Sequence, residues 1–103
     1  MKKSEQKLIN ERCAIAYEEA LCEDVWNAYR LRTCSAVVES TENFYRLRSY
    51  QTIVAVIDKN TDTLYDCLRT VYGYTATSAQ HISKFNKDFG SGLYGCQERL
   101  TAR

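Results

Sequence analysis

Ile53-Val54-Ala55-Val56-Ile57 is an unbroken apolar run near the middle of the chain, bounded on both sides by residues typical of turns. Four of its five residues are β-branched. Such a run is typical of a strand that is buried on both faces of a sheet. We therefore expect this pentapeptide to be the centre of the fold.

The segment before this run, residues 44–50, predicts a neighbouring strand. In it Tyr45 and Leu47 alternate with Arg46 and Arg48. Alternation with a period of two is typical of a strand that has one face in the core and the other in water. We expect this strand to be half exposed.

Short polar connections predict the rest of the sheet. Residues 58–62 are rich in Asx residues and predict a hairpin turn, and residues 63–69 predict the returning strand. Residues 33–39 are a candidate for one more short strand. Neighbouring strands with short connections favour an antiparallel meander, here of three to four strands.

The N-terminal segment, residues 4–30, has a helical pattern. It carries two apolar stripes at helical spacing, Ile9, Cys13, Ala16 and Ala20, followed by Cys22, Val25, Trp26 and Tyr29. The two stripes are offset by more than a right angle, so either one long helix is contacted on different sides or the chain breaks at residues 21–24 into two helices. We favour one long helix with a bend. A second copy of the chain could cover one stripe, and a homodimer therefore stays open.

A C-terminal helix is marked by its caps. Thr77 and Gln80 fit a capping box, and Gly90 stands where a C-terminal cap belongs. Ile82 and Phe85 lie on its apolar edge, which we expect to pack on the sheet. The prediction is one α+β domain, with residues 1–32 helical, 33–70 forming the antiparallel sheet, 77–89 the capped helix and 91–103 a docked tail.

Charge and hydropathy exclude some classes of function. Fourteen Lys and Arg residues against thirteen Asp and Glu residues give a net charge of +1, which argues against a nucleic-acid binder whose whole surface is basic. No apolar segment approaches the length that a bilayer requires. Residues 1–7 lead into a polar, acid-containing helix rather than a signal peptide. We expect a cytoplasmic protein that does not bind membranes.

The cysteines fit a reducing compartment. There are five of them, Cys13, Cys22, Cys34, Cys67 and Cys96. Their number is odd, no pair has the spacing of a zinc knuckle, and the chain has one histidine. We therefore expect no metal site and no cofactor, and most of these thiols should be reduced and buried.

His81, the one histidine, is the only ordinary general base near neutral pH. Ser78, Ser83 and Tyr74 lie near it in the sequence, but no nucleophile elbow or paired carboxylate accompanies it. A histidine next to Ile82 on a helix is more often a packing or capping residue than a catalyst. We expect no catalytic residue and no enzymatic activity.

An acidic stretch with nearby aromatic residues predicts a surface that binds a protein partner. The candidates are Glu18, Glu19, Glu23, Asp24, Trp26, Tyr29 and Tyr45. The carboxylates either form a solvated helix face or meet a basic groove on the partner, where charge speeds and orients association. Trp and Tyr are among the residues that most often carry binding energy at interfaces.

Arginines interleaved with tyrosines predict an alternative function. Arg30, Arg32, Arg46 and Arg48 could contact phosphates while neighbouring tyrosine rings stack on bases, as in single-stranded nucleic-acid binding. The same residues could instead be sheet residues whose guanidinium groups stay hydrated. A nucleic-acid-binding accessory protein is thus the alternative to a protein-binding one.

Four segments in the middle of the chain form a pattern: Ser49-Tyr50-Gln51-Thr52-Ile53-Val54-Ala55, Leu64-Tyr65, Tyr74-Thr75-Ala76-Thr77 and His81-Ile82-Ser83-Lys84-Phe85. This pattern resembles that of small proteins encoded by phages and prophages of Gram-positive bacteria. The chain departs from it at Ala76 and Ser78 and adds the long N-terminal helix. The resemblance implies a strand, a turn, a second strand and a capped helix, and it implies no active site.

A small phage-type protein of this kind is similar to anti-CRISPR and other anti-defence proteins, many of which occupy a surface on a bacterial effector. The resemblance therefore implies a non-enzymatic inhibitor of a host defence nuclease, with a CRISPR effector as its partner. It could cover a nucleic-acid channel or prevent a domain movement that the effector needs. Because a fold does not dictate a function, this expectation rests on likeness alone.

Overall fold

Residues 3–32 and 35–103 are described by the computed structural model, and they form three helices and one six-stranded sheet. The helices are α1 (Lys3–Cys22), α2 (Leu68–Val71) and α3 (Ala76–Phe89). The strands are β1 (Asn27–Arg30), β2 (Val37–Ser40), β3 (Phe44–Ser49), β4 (Thr52–Asp58), β5 (Thr63–Asp66) and β6 (Glu98–Thr101).

The strands lie in the order of the chain, β1 to β6. The first five are antiparallel to their neighbours, whereas β6 runs parallel to β5 because α2 and α3 form the crossover between them. The α+β class and the long N-terminal helix are confirmed. The sheet has more strands than the three to four predicted, because β1 and β6 extend it. It is also mixed rather than antiparallel, because β6 is parallel to β5.

The apolar pentapeptide 53–57 lies in β4 and is buried on both faces of the sheet, as predicted, with each residue at most 4% exposed. Ile53 and Val56 pack on the face that α1 covers, and Ala55 and Ile57 pack on the face that α3 covers. Val54 falls in a register shift between β3 and β4 and joins Ala55 on the α3 side. The bulge therefore places two consecutive side chains of β4 on the same face of the sheet.

Helix α1 packs on the sheet through small side chains, those of Cys13, Ala16 and Ala20. It ends at Cys22, where the buried Arg46 guanidinium donates hydrogen bonds to the carbonyl groups of Ala20 (3.1 Å) and Leu21 (3.5 Å). These carbonyls belong to the last turn, which has no basic residue of its own. A guanidinium from β3 thus supplies the cation that the end of this helix favours.

The predicted continuation of the helix to residue 30 was wrong. Residues 27–30 form β1, which pairs antiparallel with β2. After α1, the Glu23 carboxylate accepts hydrogen bonds from the Thr41 hydroxyl (2.7 Å) and from the backbone and side-chain N–H groups of Asn43 (2.9 and 2.7 Å). This carboxylate turns the chain onto the sheet, where the ladder with β2 satisfies the backbone groups of β1.

Two strand boundaries also differ from those predicted. The strand predicted at residues 63–69 ends at Asp66, because its carboxylate accepts from the N–H of Leu68 (3.1 Å) and α2 begins there. The strand predicted at residues 33–39 is β2, Val37–Ser40. Its predicted first residues, Thr33 and Cys34, lie outside the described residues.

Helix α3 packs on the sheet with Ile82 and Phe85, both fully buried, as its apolar edge predicts. Its N-cap is Thr75 rather than Thr77. The Thr75 backbone is extended, and its hydroxyl accepts the N–H of Ser78 (3.1 Å). Gly90 is the C-cap, as predicted.

The tail docks on the body, as predicted, and completes the sheet as β6. The Asp62 carboxylate accepts the N–H groups of Ser91 (3.0 Å) and Gln97 (2.8 Å) and so closes the loop before β6. In this loop the chain passes very close to Gly90, where a Cβ would come within 2.3 Å of the Cys96 nitrogen. Only glycine fits there.

All the cysteines in the described residues are free, and Cys34 lies outside them. Cys13 and Cys67 are buried, Cys96 is half-buried and Cys22 is exposed. Among the described helices, none has the length and hydrophobicity to cross a membrane.

Candidate partner-binding surface

Four rings and one ammonium group form an aromatic cluster where β1, β3 and the end of α3 meet. Lys59 lies over the rings of Tyr45 and Trp26, with its Nζ 4.5 and 5.8 Å from their centroids. The Phe89 ring, in turn, lies 5.0 Å from that of Tyr45 and 6.4 Å from that of Tyr29. The structure therefore brings together Trp26, Tyr29 and Tyr45, the three aromatic residues that the sequence analysis predicts to bind a partner. We call Trp26, Tyr29, Tyr45, Lys59 and Phe89 the aromatic cluster.

Lys59 is the member that sequence reasoning missed. Its ammonium group donates to the Ser40 hydroxyl (2.9 Å) and to the carbonyl of Thr41, which fixes it at the β2–β3 turn. Partial burial lowers the pKa of Lys59, and the nearby Glu23 carboxylate opposes that change. An immobilised cation attracts the faces of both rings, worth about 0.5–2 kcal/mol per contact depending on its hydration. A lysine in a hairpin turn carries no sign of this role in the sequence.

Two members of the cluster remain largely open to solvent. The Trp26 residue is 62% exposed and Tyr29 is 46% exposed, although each is held by a neighbour within the cluster. Large aromatic side chains that lose little freedom on binding are the usual anchors of protein interfaces. The cluster thus presents two large aromatic side chains at the surface.

The acidic candidates do not lie together. Asp24 is exposed and precedes Trp26 by two residues, so it borders the cluster. Glu23 is held by Thr41 and Asn43: its partial burial raises the carboxylate pKa, but hydrogen bonds from these residues outweigh that effect and lower it.

Glu18 and Glu19 lie elsewhere. They are exposed on α1, which packs on the face of the sheet opposite α3, and Glu18 lines a small cavity beside Val71. The predicted acidic surface is thus divided, and Asp24 is the carboxylate that stays free to meet a partner next to the aromatic cluster.

The arginine candidates are also divided. Arg46 is buried and pairs with the Glu39 carboxylate (2.7 Å), so the expectation that it lies on a hydrated strand face was wrong. Arg48 is half-exposed and reaches the same carboxylate at 3.3 Å. Burial raises the pKa of Glu39, but hydrogen bonds from Arg48 and Arg46 outweigh that effect and lower it. The side chain of Arg46 connects α1, β2 and β3.

Arg32 and Arg30 flank the β1–β2 hairpin. The Arg32 guanidinium forms two hydrogen bonds with the Asp88 carboxylate at the end of α3 (2.6 and 2.8 Å), which lowers the pKa of that carboxylate. Arg30 is exposed and lies in one row across the strands with Val37 and Arg48. Arg30 and Arg48 thus share a face of the sheet, and the buried Arg46 lies on the same face.

His81 is buried in contact with the β3–β4 hairpin. It is 4% exposed, and its Nδ1 lies 2.9 Å from the Ser49 hydroxyl, which in turn lies 2.9 Å from the Ser78 hydroxyl. Burial, and the positive charge of Lys84, lower the pKa of His81. The contact between Ser49 and His81 fastens α3 to the sheet.

Comparison with known proteins finds no matching family model, no similar curated protein and no similar solved structure.

Proposed function

We propose that this protein is a non-enzymatic, phage-type inhibitor that binds a bacterial defence nuclease and occupies a surface on it. Its partner is a CRISPR effector, and it acts in the cytoplasm of the bacterial host. The contact is made by the aromatic cluster, with Trp26 and Tyr29 as anchors and Asp24 as the acidic neighbour.

The observation that supports binding is the state of the anchors. Trp26 and Tyr29 are exposed, yet Lys59 and Phe89 hold them in place, so little side-chain entropy is lost when a partner covers them. Tyr29 lies on the terminal strand β1, whose four residues are all exposed, and Trp26 directly precedes this strand. The class of partner comes from the resemblance to phage-encoded proteins.

Co-purification with a panel of CRISPR effectors tests this proposal. The tagged protein is mixed with each effector, captured, and the cleavage of a target DNA or RNA by the same mixture is then measured. We expect at least one effector to be captured and its cleavage to be inhibited. Capture should be lost in the double variant Trp26→Ala, Tyr29→Ala.

The variant Tyr94→Ala is the matched control, because Tyr94 is an aromatic residue that is 89% exposed on a loop outside the cluster. It should bind and inhibit like the wild type. The proposal fails if no effector is captured or inhibited, or if the control loses binding together with the double variant.

The alternative is a nucleic-acid-binding accessory function carried by Arg30 and Arg48, because both lie in one row on the same face of β1–β3. A labelled single-stranded oligonucleotide at low salt tests it through fluorescence anisotropy. Binding that weakens in Arg30→Gln and Arg48→Gln and falls with added salt would favour this function. An unchanged anisotropy would eliminate it.

A further inference from the structure

A polar cavity of about 360 Å³ lies beside the carboxyl ends of β5 and β6, at the opposite edge of the sheet from β1. Asp66 and Thr101, the last residues of these two parallel strands, are paired in register and both line it. Arg69 from α2 and Ser83 from α3 contribute to the wall.

The lining of this cavity is rich in arginine. Three arginines line it, Arg69, Arg99 and Arg103, and among the described residues Asp66 is the one acidic residue of the lining. That carboxylate is already engaged, since it accepts from the N–H of Leu68 (3.1 Å) and from the Arg99 guanidinium (3.1 Å). An excess of positive charge therefore remains for an anionic ligand.

One guanidinium of the lining is held in place, and the backbone of a second arginine is fixed. The Arg69 guanidinium lies 4.7 Å from the centroid of the Tyr74 ring, a cation–π contact at the rim. The backbone of Arg103 is fixed by Asn10 of α1, which accepts from its N–H (3.0 Å) and donates to its carbonyl (2.9 Å). Tyr74 is 58% exposed, so its ring remains accessible to a planar group.

We propose that this cavity binds a mononucleotide, with Arg69 and Arg103 on its phosphates and the Tyr74 ring against its base. Guanidinium groups match phosphate oxygens in charge and geometry, and an aromatic side chain provides a stacking surface for a base. The volume lies in the range of small-ligand pockets and suits one nucleotide rather than a polymer. This site is separate from the aromatic cluster, so it stands or falls independently of the proposed inhibition.

Isothermal titration of the whole protein with ADP, pyrophosphate and adenosine tests the proposal. We expect ADP to bind, pyrophosphate to bind more weakly, and adenosine to bind at least about tenfold more weakly than ADP, because it lacks the charged groups. Arg69→Gln and Arg103→Gln should each weaken ADP binding about tenfold or more. The Tyr74→Ala variant should weaken ADP binding more than pyrophosphate binding, because ADP loses the stacking surface for its base as well as the contact that holds Arg69.

The variant Arg12→Gln is the matched control, because the exposed Arg12 pairs with Glu98 outside this cavity. It should bind ADP like the wild type, and thermal unfolding of each variant shows that it folds. The proposal is overturned if ADP does not bind, if adenosine binds as tightly as ADP, or if Arg12→Gln weakens binding as much as the cavity variants. An oligonucleotide that binds through Arg69 when ADP does not would also overturn it.

Discussion

The two edge strands of the sheet differ in how they are covered: β6 contacts side chains of α1, whereas β1 is open to solvent. At β6, side chains of α1 cover the terminal strand: Gln6 donates to the carbonyl of Thr101 (3.0 Å), and Asn10 holds both backbone groups of Arg103. At β1, α1 has ended, all four strand residues are exposed, and aromatic rings supply the side-chain contacts with α3. An uncovered edge is a liability that proteins usually blunt. Leaving β1 open and aromatic therefore fits a surface that is covered by a partner.

The largest expected effect comes from breaking the connection between α1 and the β1 edge. Arg46→Ala leaves the Glu39 carboxylate and the carbonyls at the end of α1 without their buried cation, and we expect it to lower the free energy of unfolding by about 3–5 kcal/mol. Arg48→Ala removes a half-exposed partner of the same carboxylate and should cost under about 1 kcal/mol. Urea denaturation measures both, and equal losses would contradict the assignment.

Lowering the pH tests whether the two edges share one core. Because burial depresses the pKa of His81, the folded state resists a proton that the unfolded state accepts. Stability is thus complete above about pH 6.5 and decreases below it, with a slope of at most about 1.4 kcal/mol per pH unit for one proton, until the folded pKa is reached. In His81→Gln this slope should be largely lost between about pH 6.5 and 5.5, a window in which carboxylates such as Glu23 and Glu39 are still ionised in both the folded and the unfolded state.

Hydrogen exchange in the same pH series measures the protection of backbone amides at each edge of the sheet separately. Global destabilisation through His81 should lower the protection of the most slowly exchanging amides of the core equally on both sides of β4. A loss confined to one edge would contradict a shared core.

A smaller effect is expected from loosening the covered edge. Asn10→Ala removes the two hydrogen bonds to Arg103 and should lower the free energy of unfolding by about 1 kcal/mol. Hydrogen exchange should become faster in β6 and stay unchanged in β1. Faster exchange at both edges would show that they are not independently held.

The smallest effect on stability is expected at the open edge itself. Trp26 is 62% exposed and contacts Lys59, so Trp26→Ala should change the free energy of unfolding by about 0.5 kcal/mol or less. Thermal unfolding checks this. A loss above about 2 kcal/mol would show that Trp26 serves the core rather than a partner.

The sequence could predict those elements whose pattern matches their burial. The pentapeptide 53–57 is apolar throughout because both faces of β4 are covered, and Ile82 and Phe85 repeat at helical spacing because one face of α3 is covered. The Asx-rich turn at residues 58–62 could also be predicted from the sequence, since it depends on local chemistry.

The remaining features depend on partners that are distant in the sequence. Helical spacing predicts a helix that includes Val25, Trp26 and Tyr29, but these residues are 42–62% exposed. A helix there would bury no apolar face, and residues 27–30 instead pair with β2 as a strand. Strand β6 has no pattern of its own and is fixed by β5 and α1. The sequence predicts Arg46 to be a hydrated strand residue. Its burial depends on the end of α1, which is distant in the sequence and lies against it in the fold.

The division of the candidate surface has the same cause. The acidic residues follow one another in the sequence, but the turn at Glu23 sends Glu18 and Trp26 to opposite faces of the sheet. Lys59 reaches Trp26 only because the β2–β3 and β4–β5 turns lie side by side, joined by a hydrogen bond from the Lys59 N–H to the Asn43 carbonyl (2.9 Å).

The most direct test of the central claim is the affinity of the single variant Trp26→Ala for the effector captured by the wild type, measured by biolayer interferometry. We predict a dissociation constant at least about 30-fold above that of the wild type, as expected for an interface anchor worth 2 kcal/mol or more, with Tyr94→Ala unchanged. A Trp26→Ala variant that is folded and binds the effector as tightly as the wild type would contradict the claim that the open β1 edge is the contact surface.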